Sequence, residues 1–170
     1  RRGQAYRMHG LLRDALEAEF ERVDSRGVRR VHEKASEWFE AAGDIDRAVR
    51  HAVAAEDVDR AERLVVVHTP SLYANGNYTT IERWVDSLPR DRVVNSTSLC
   101  VCAALMALGL GRSDALSVWL RLGDHAAASG HDADPLARLC LLDLRSTTST
   151  GPARPALEDA AIACRHARAR

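Results

Sequence analysis

The sequence has little aromatic content, 5% of its 170 residues, and no net charge, because 24 basic residues balance 24 acidic ones. A nucleic-acid-binding module normally carries a basic excess, since neutralisation of phosphates supplies much of its affinity. The charge balance therefore argues against direct DNA binding by this segment. The arginine-rich stretches near the two ends, residues 22–30 and 165–170, are interpreted as solvated helix faces.

Long apolar runs are also missing from the sequence. No stretch approaches the ~20 residues that a membrane-spanning helix needs, and no signal peptide is recognisable. We therefore expect no membrane contact and a cytoplasmic location. The most apolar stretch, Leu99–Leu110, is predicted to be a buried helix.

Motifs of catalysis and metal binding are absent as well. The sequence has neither a phosphate-binding Walker loop nor a Gly-x-Ser-x-Gly elbow, so we expect no catalytic residue and no enzyme activity. The four cysteines lie in apolar helical stretches and are expected to be reduced, buried thiols. Because Cys-x-Cys on a helix directs its two sulfurs to different faces, no metal ligand is expected. These cysteines are Cys100, Cys102, Cys140 and Cys164.

Apolar residues recur at helical spacing almost throughout, and alanine and leucine, two strong helix formers, dominate. The pattern predicts an all-α fold. Predicted helices cover residues 8–23, 28–42, 45–52, 58–65, 79–88, 98–110, 114–129, 135–146 and 155–170. A capping box is predicted at Thr79–Glu82, at the start of a helix, and Pro89 is predicted to end that same helix.

One internal repeat is visible: Ala41–Ala48 matches Ala54–Ala61 thirteen positions later. In the first copy, Gly43 is expected to end one helix in a left-handed conformation and Asp44 to cap the next. Ala48 is expected to pack tightly against a neighbouring helix. The pattern favours tetratricopeptide-like antiparallel helical hairpins forming a right-handed solenoid, with an irregular helical bundle as the alternative.

Several polar and aromatic side chains are candidates for function. Trp38 and Trp84 are expected to be core anchors of adjacent hairpins, and His51 to pack or to bond a neighbouring turn. Tyr73, Asn75 and Tyr78 surround an irregular turn, together with Asn77. They are interpreted either as the lining of a groove for a small ligand or peptide, or as an ordinary hairpin loop.

Four segments carry a resemblance to a known family. The run from Trp38 to Asp57, WFEAAGDIDRAVRHAVAAED, resembles the helical region of MalT-like, LuxR-family ATP-dependent transcriptional regulators, which belong to the STAND class of signalling ATPases. Residues 83–89 (RWVDSLP) and 108–115 (LGLGRSDA) are similar to stretches that follow in this family. Residues 6–16 resemble the end of its winged-helix part. The resemblance fades after Leu120, and Gly10 stands where the related Met-His-Asp motif has aspartate.

The resemblance implies a modular regulator. Residues 1–24 would be the C-terminal end of a winged-helix switch domain, and residues 25–170 a helical-repeat sensor region cut at its C-terminus. ATP or ADP would bind the complete protein but not this segment, with His9 touching the β-phosphate of ADP. The implied partners are a small-molecule inducer or a regulatory protein, and DNA through a domain outside the segment. The alternative is a stand-alone tetratricopeptide-like scaffold for protein–protein interaction.

Overall fold

The computed structural model describes Glu19, residues 24–129 and residues 134–149. In these ranges the chain forms eight α-helices and no strand, so the all-α prediction is confirmed. The helices are α1 (Ser25–Ala41), α2 (Ile45–Ala54), α3 (Val58–Ala74), α4 (Tyr78–Ser87), α5 (Arg90–Asn95), α6 (Thr97–Gly109), α7 (Ser113–Ser129) and α8 (Pro135–Ser149). The helices predicted at residues 8–23 and 155–170 lie outside the described residues, Glu19 excepted.

The helices belong to two compact units, residues 1–57 and residues 58–170. Helices α1 and α2 lie in the first unit and pack against each other. The other six helices lie in the second unit. The domain boundary that the resemblance places after residue 24 stays a prediction.

Four helix ends share one turn geometry. At the C-terminal end of α1, the amide N–H of Asp44 donates to the carbonyl of Phe39, and the amide N–H of Gly43 donates to the carbonyl of Glu40. This pair of bonds is the Schellman motif, which requires a left-handed residue after the helix. The same bonds recur after α2, α3 and α6. The left-handed residues are Gly43 (φ 79°), Glu56 (φ 55°), Gly76 (φ 74°) and Gly111 (φ 69°).

The repeat seen in the sequence therefore corresponds to a repeated turn. Gly43 and Glu56 occupy equivalent positions, thirteen residues apart, and both are left-handed. Asp44 caps α2 as predicted, since its carboxylate accepts a hydrogen bond of 3.1 Å from the amide of Arg47. The repeated alanines, Ala48 and Ala61, are both completely buried.

The second unit is organised around α6, which packs against each of the other five helices of that unit. Its residues are buried on all sides, from Thr97 to Ala104 and again at Met106 and Ala107. The predicted burial of the stretch Leu99–Leu110 is confirmed for these residues. Such a helix has no solvent face, because apolar positions surround its whole circumference.

The region around Pro89 differs in part from the prediction. Helix α4 ends at Ser87, and Leu88 is extended (φ −87°, ψ 151°), the conformation favoured before proline. The predicted stop is confirmed. The prediction of a capping box at Thr79–Glu82 is wrong, because α4 begins at Tyr78 and the residue before it, Asn77, makes no side-chain cap bond. Helix α5 follows Pro89 and is too short, six residues, to show a helical period in the sequence.

The two tryptophans have opposite environments. Trp84 is 3% exposed and is a core residue of the second unit, as predicted, whereas Trp38 is 65% exposed and the prediction of a core anchor is wrong. At 100° per residue, Trp38 lies about 200° around α1 from buried Ser36, which faces α2. Val31, two turns before Trp38, shares its face and is 57% exposed. The apolar residues of α1 thus lie on two faces of the helix and do not form one buried stripe.

Candidate functional site

The tyrosines predicted to line a groove lie at facing helix ends. Tyr73 is in the last turn of α3, and Tyr78 is the first residue of α4. Their ring centroids are 5.3 Å apart with the planes inclined by 54°. The structure brings these two side chains together.

Tyr78 is seated on α6. A Cβ atom built on Gly109 would lie 2.7 Å from Cγ of Tyr78 and closer still to two other ring carbons. Only a residue without a side chain fits there, so Gly109 provides the space for the ring. Packing between α4 and α6 thereby occupies one face of Tyr78.

Asn75 lies in the exposed turn before Gly76, and its side-chain amide donates a 2.8 Å hydrogen bond to the carbonyl of Ser71. That bond helps to close the end of α3. The tyrosine rings pack within the hairpin, and Asn75 bonds its own helix, which is the geometry of a structured hairpin loop. A ligand-binding role for these three residues stays a prediction.

A shallow polar groove of about 460 Å³ lies along α4. One of its lining residues, Glu82, forms an ion pair with Arg112, which lies in the turn after α6. Two carboxylates and a guanidinium line the groove, so it presents charges of both signs. The lining residues are Thr79, Glu82, Arg83, Asp86 and Ser87.

A second cluster lies between α1 and α2. The Nδ1 atoms of His32 and His51 are 2.8 Å apart, within hydrogen-bonding distance. Phe39 stacks on the His51 ring, with centroids 5.3 Å apart and planes inclined by 3°. The guanidinium of Arg47 lies 5.3 Å from the centre of the Phe39 ring. Two histidines, an aromatic ring and a cation therefore form one contiguous cluster.

The environment of His51 disfavours its charged form. Partial burial lowers the pKa of His51 below its ordinary value, and the positive charges of His32, Arg50 and Arg47 lower it further. Two carboxylates at the start of α2 pair with these arginines: Asp44 with Arg47 at 3.3 Å and Asp46 with Arg50 at 3.9 Å.

Sequence reasoning expected a structural contact for His51 and did not single out His32. The signal was present, because the two histidines lie at nearly equal distances from the turn at Ala42–Gly43. In an antiparallel hairpin, residues equidistant from the turn face one another. Ser36 and Ala48, six residues to either side of Ala42, obey the same rule and are hydrogen-bonded.

The remaining predicted site residues are distributed as follows. His9 lies outside the described residues. Across the part of the chain that the structure describes, no three His, Cys, Asp or Glu side chains gather as metal ligands. Within residues 24–129 and 134–149, none of the helices combines the length and hydrophobicity needed to cross a bilayer.

Comparison with known proteins relates part of the chain to two kinds of protein, one named as a kinase and the other as a transcriptional regulator. It is 35% identical over 99 residues to the serine/threonine-protein kinase PknK of Mycobacterium tuberculosis and of Mycobacterium bovis, covering 58% of this chain and 9% of the kinase. It is 26% identical over 96 residues to the HTH-type transcriptional regulator MalT of Serratia proteamaculans, covering 56% of this chain and 11% of that protein.

The chain spans about a tenth of the length of these relatives. The two matched stretches overlap, because together they exceed the 170 residues of the chain. No protein-family profile and no solved structure matches significantly. The chain is thus similar in part to a protein named as a kinase and in part to one named as a transcriptional regulator, through stretches that overlap.

Proposed function

We propose that this chain is a non-catalytic sensing segment of a larger cytoplasmic, ATP-dependent bacterial transcriptional regulator. The observation that carries the proposal is the similarity of one stretch to both a kinase and an HTH-type transcriptional regulator. Proteins with different named activities that have a segment in common use it for something other than the activity that distinguishes them. Reception of a signal, or its transmission, is such a role.

The helical architecture supports a sensing role. Hairpins with one recurrent turn geometry follow one another along the chain, and packed helix pairs are separated by at most three places in helix order. This local contact pattern is typical of stacked helical repeats. We propose that the second unit is part of a right-handed, tetratricopeptide-like solenoid, whose surface binds a small-molecule inducer or a regulatory protein.

Signalling requires unequal affinities. An inducer shifts a two-state switch only if it binds one state more tightly, because equal affinity for both leaves the populations unchanged. In the proposed regulator, ADP holds the resting state through contacts that include His9, and the inducer favours the other state. DNA binding belongs to a domain outside this segment, in keeping with the zero net charge.

The test uses the complete protein that contains this chain. Compounds of a metabolite panel are screened by thermal shift, once with ADP and once with a non-hydrolysable ATP analogue. We expect a compound whose dissociation constants in the two states differ by about tenfold or more, which corresponds to ~1.4 kcal/mol. Equal affinity in both states would contradict the regulator, and failure to bind either nucleotide would favour the stand-alone scaffold.

A matched pair of variants sharpens the nucleotide part of the test. His9→Ala is expected to weaken ADP binding by removing a donor to phosphate. His125→Ala, at an exposed position of α7, is the control and should leave the affinity for ADP unchanged. Unchanged ADP affinity in both variants would contradict the role of His9.

A further inference from the structure

At the His32–His51 contact, two titratable rings from different helices share a hydrogen bond. Both rings are half-buried, and each belongs to a different helix of the α1–α2 hairpin. Their bond lies about one helical turn further from the turn of the hairpin than the buried Ser36–Ala48 bond does. The rings therefore hold together the part of the hairpin that is distant from its connecting turn.

The number of protons on the pair decides whether the bond can exist. When both rings are neutral, one Nδ1–H donates to the unprotonated Nδ1 of the other ring. One added proton leaves a donor and an acceptor and makes the bond charge-assisted. With two protons both Nδ1 atoms are donors, no acceptor remains, and two positive charges lie 2.8 Å apart.

We propose that His32 and His51 form a proton-operated latch of the α1–α2 hairpin, closed while the pair holds at most one extra proton and opened by the second. The charged groups that act on His51 from the described parts of both helices are His32 of α1 and Arg47 and Arg50 of α2, all positive when protonated. Asp44 and Asp46 already pair with these arginines. Phe39 covers one ring face of His51 without supplying charge.

The sign of the pH effect follows from the pKa of His51, which is lower in the folded chain than the ordinary value of 6.5. Just below pH 6.5 the unfolded chain binds more protons at this residue than the folded chain does. The contribution to stability is therefore complete above that pH and is lost as the pH falls through the folded pKa of His51. The latch opens on acidification and stays closed at neutral pH.

Hydrogen–deuterium exchange of the full 170-residue chain tests the latch. After correction for the intrinsic pH dependence of exchange, amides of α2 should exchange roughly tenfold faster at about pH 5 than at about pH 7.5, relative to amides of α4. His32→Gln and His51→Gln keep a neutral hydrogen-bonding group but remove the second charge, so each should abolish the pH response. His125→Gln, an exposed control on α7, should retain it.

A ring titration followed by NMR, in the unmodified chain and in His32→Gln, supplies a second readout. The His51 ring should titrate below 6.5, and its pKa should rise in His32→Gln, where the positive neighbour is lost. Unchanged protection of α2 on acidification of the unmodified chain would overturn the proposal. So would an acceleration that persists in both glutamine variants, or a His51 ring that titrates at the ordinary value.

Discussion

The hydroxyl of Ser36 on α1 donates a hydrogen bond to the backbone carbonyl of Ala48 on α2 at 2.9 Å, and both residues are completely buried. A serine hydroxyl reaches a helical carbonyl of the neighbouring helix only where the two helices approach closely. The small side chain of Ala48 allows this approach. The contact links the alanine of the sequence repeat to the packing of the first hairpin.

Removal of that hydroxyl should weaken the hairpin measurably. In Ser36→Ala we expect the free energy of unfolding to fall by about 0.5–1.5 kcal/mol, the usual net contribution of one hydrogen bond. Ser117→Ala is the control, because Ser117 is exposed and bonds within its own helix to Ser113. Urea unfolding monitored by circular dichroism measures both; equal losses in the two variants would contradict the assignment.

The two equivalent left-handed turn residues should respond to substitution in opposite ways. Glu56 has a φ of 55°, which costs a residue with a side chain roughly 1 kcal/mol, so Glu56→Gly should raise the free energy of unfolding by up to about that amount. Gly43→Ala should lower it by about 1 kcal/mol, because Gly43 has a φ of 79°. Thermal unfolding compares the two. A melting temperature lowered by Glu56→Gly would contradict this account.

The tryptophans provide a matched pair of truncations. Trp84→Ala empties a buried site and should cost about 3–5 kcal/mol. Trp38→Ala removes a side chain that is 65% exposed, and its cost should stay near or below about 1 kcal/mol. Denaturant unfolding of both variants measures the difference, and a loss of several kcal/mol for Trp38→Ala would show that its ring is covered.

The close contact between Tyr78 and Gly109 predicts that the effect of Gly109→Ala on stability changes sign when Tyr78 is replaced by alanine. Gly109→Ala alone should destabilise the chain by about 1–3 kcal/mol, because its Cβ overlaps the tyrosine ring. In a Tyr78→Ala background the overlap is gone. The same Gly109→Ala substitution should then be neutral or stabilising, since alanine is the better helix former by about 0.8–1 kcal/mol. A double-mutant cycle from urea unfolding measures the coupling, and additive effects would exclude the steric contact.

Cys100 should resist alkylation in the folded chain. Burial, aided by Cys102, raises the pKa of Cys100 from 9.0 to about 12, which leaves about a thousandfold less thiolate at a given pH. Its sulfur also donates to the carbonyl of Val93 at 3.3 Å. Half-buried Cys140 is the internal reference. Mass spectrometry after timed exposure to iodoacetamide at about pH 8 should show Cys140 modified before Cys100; equal rates would argue against burial of Cys100.

The sequence was informative wherever the governing chemistry is local. The left-handed Gly43, the cap of Asp44, the buried stretch after Leu99 and the stop at Pro89 all depend on residues within a few positions of one another. Each was predicted and is found in the structure. Turn residues, caps and periodicity act over one or two helical turns, which explains their agreement.

Features that depend on which helix packs on which face were less accessible. The apolar stripe of α1 predicted burial for Trp38, because spacing alone does not separate the face towards α2 from the opposite face. The His32–His51 contact required the register of a hairpin, not a motif. Helix α5 makes a long-range contact, in which Arg92 bonds to Asp59 of α3 at 2.6 Å. No local sequence pattern predicts this contact.

The complete enclosure of α6 has a consequence for how the sequence can diverge. Its buried residues lie in a helix that packs against five others, so a change of volume at one position requires an accommodating change elsewhere. Outer helices with a solvent face can accept substitutions one at a time. Among homologues, we therefore expect residues 97–107 to vary in coupled sets of nearly constant total volume, while solvent-facing positions of α4 and α8 drift independently.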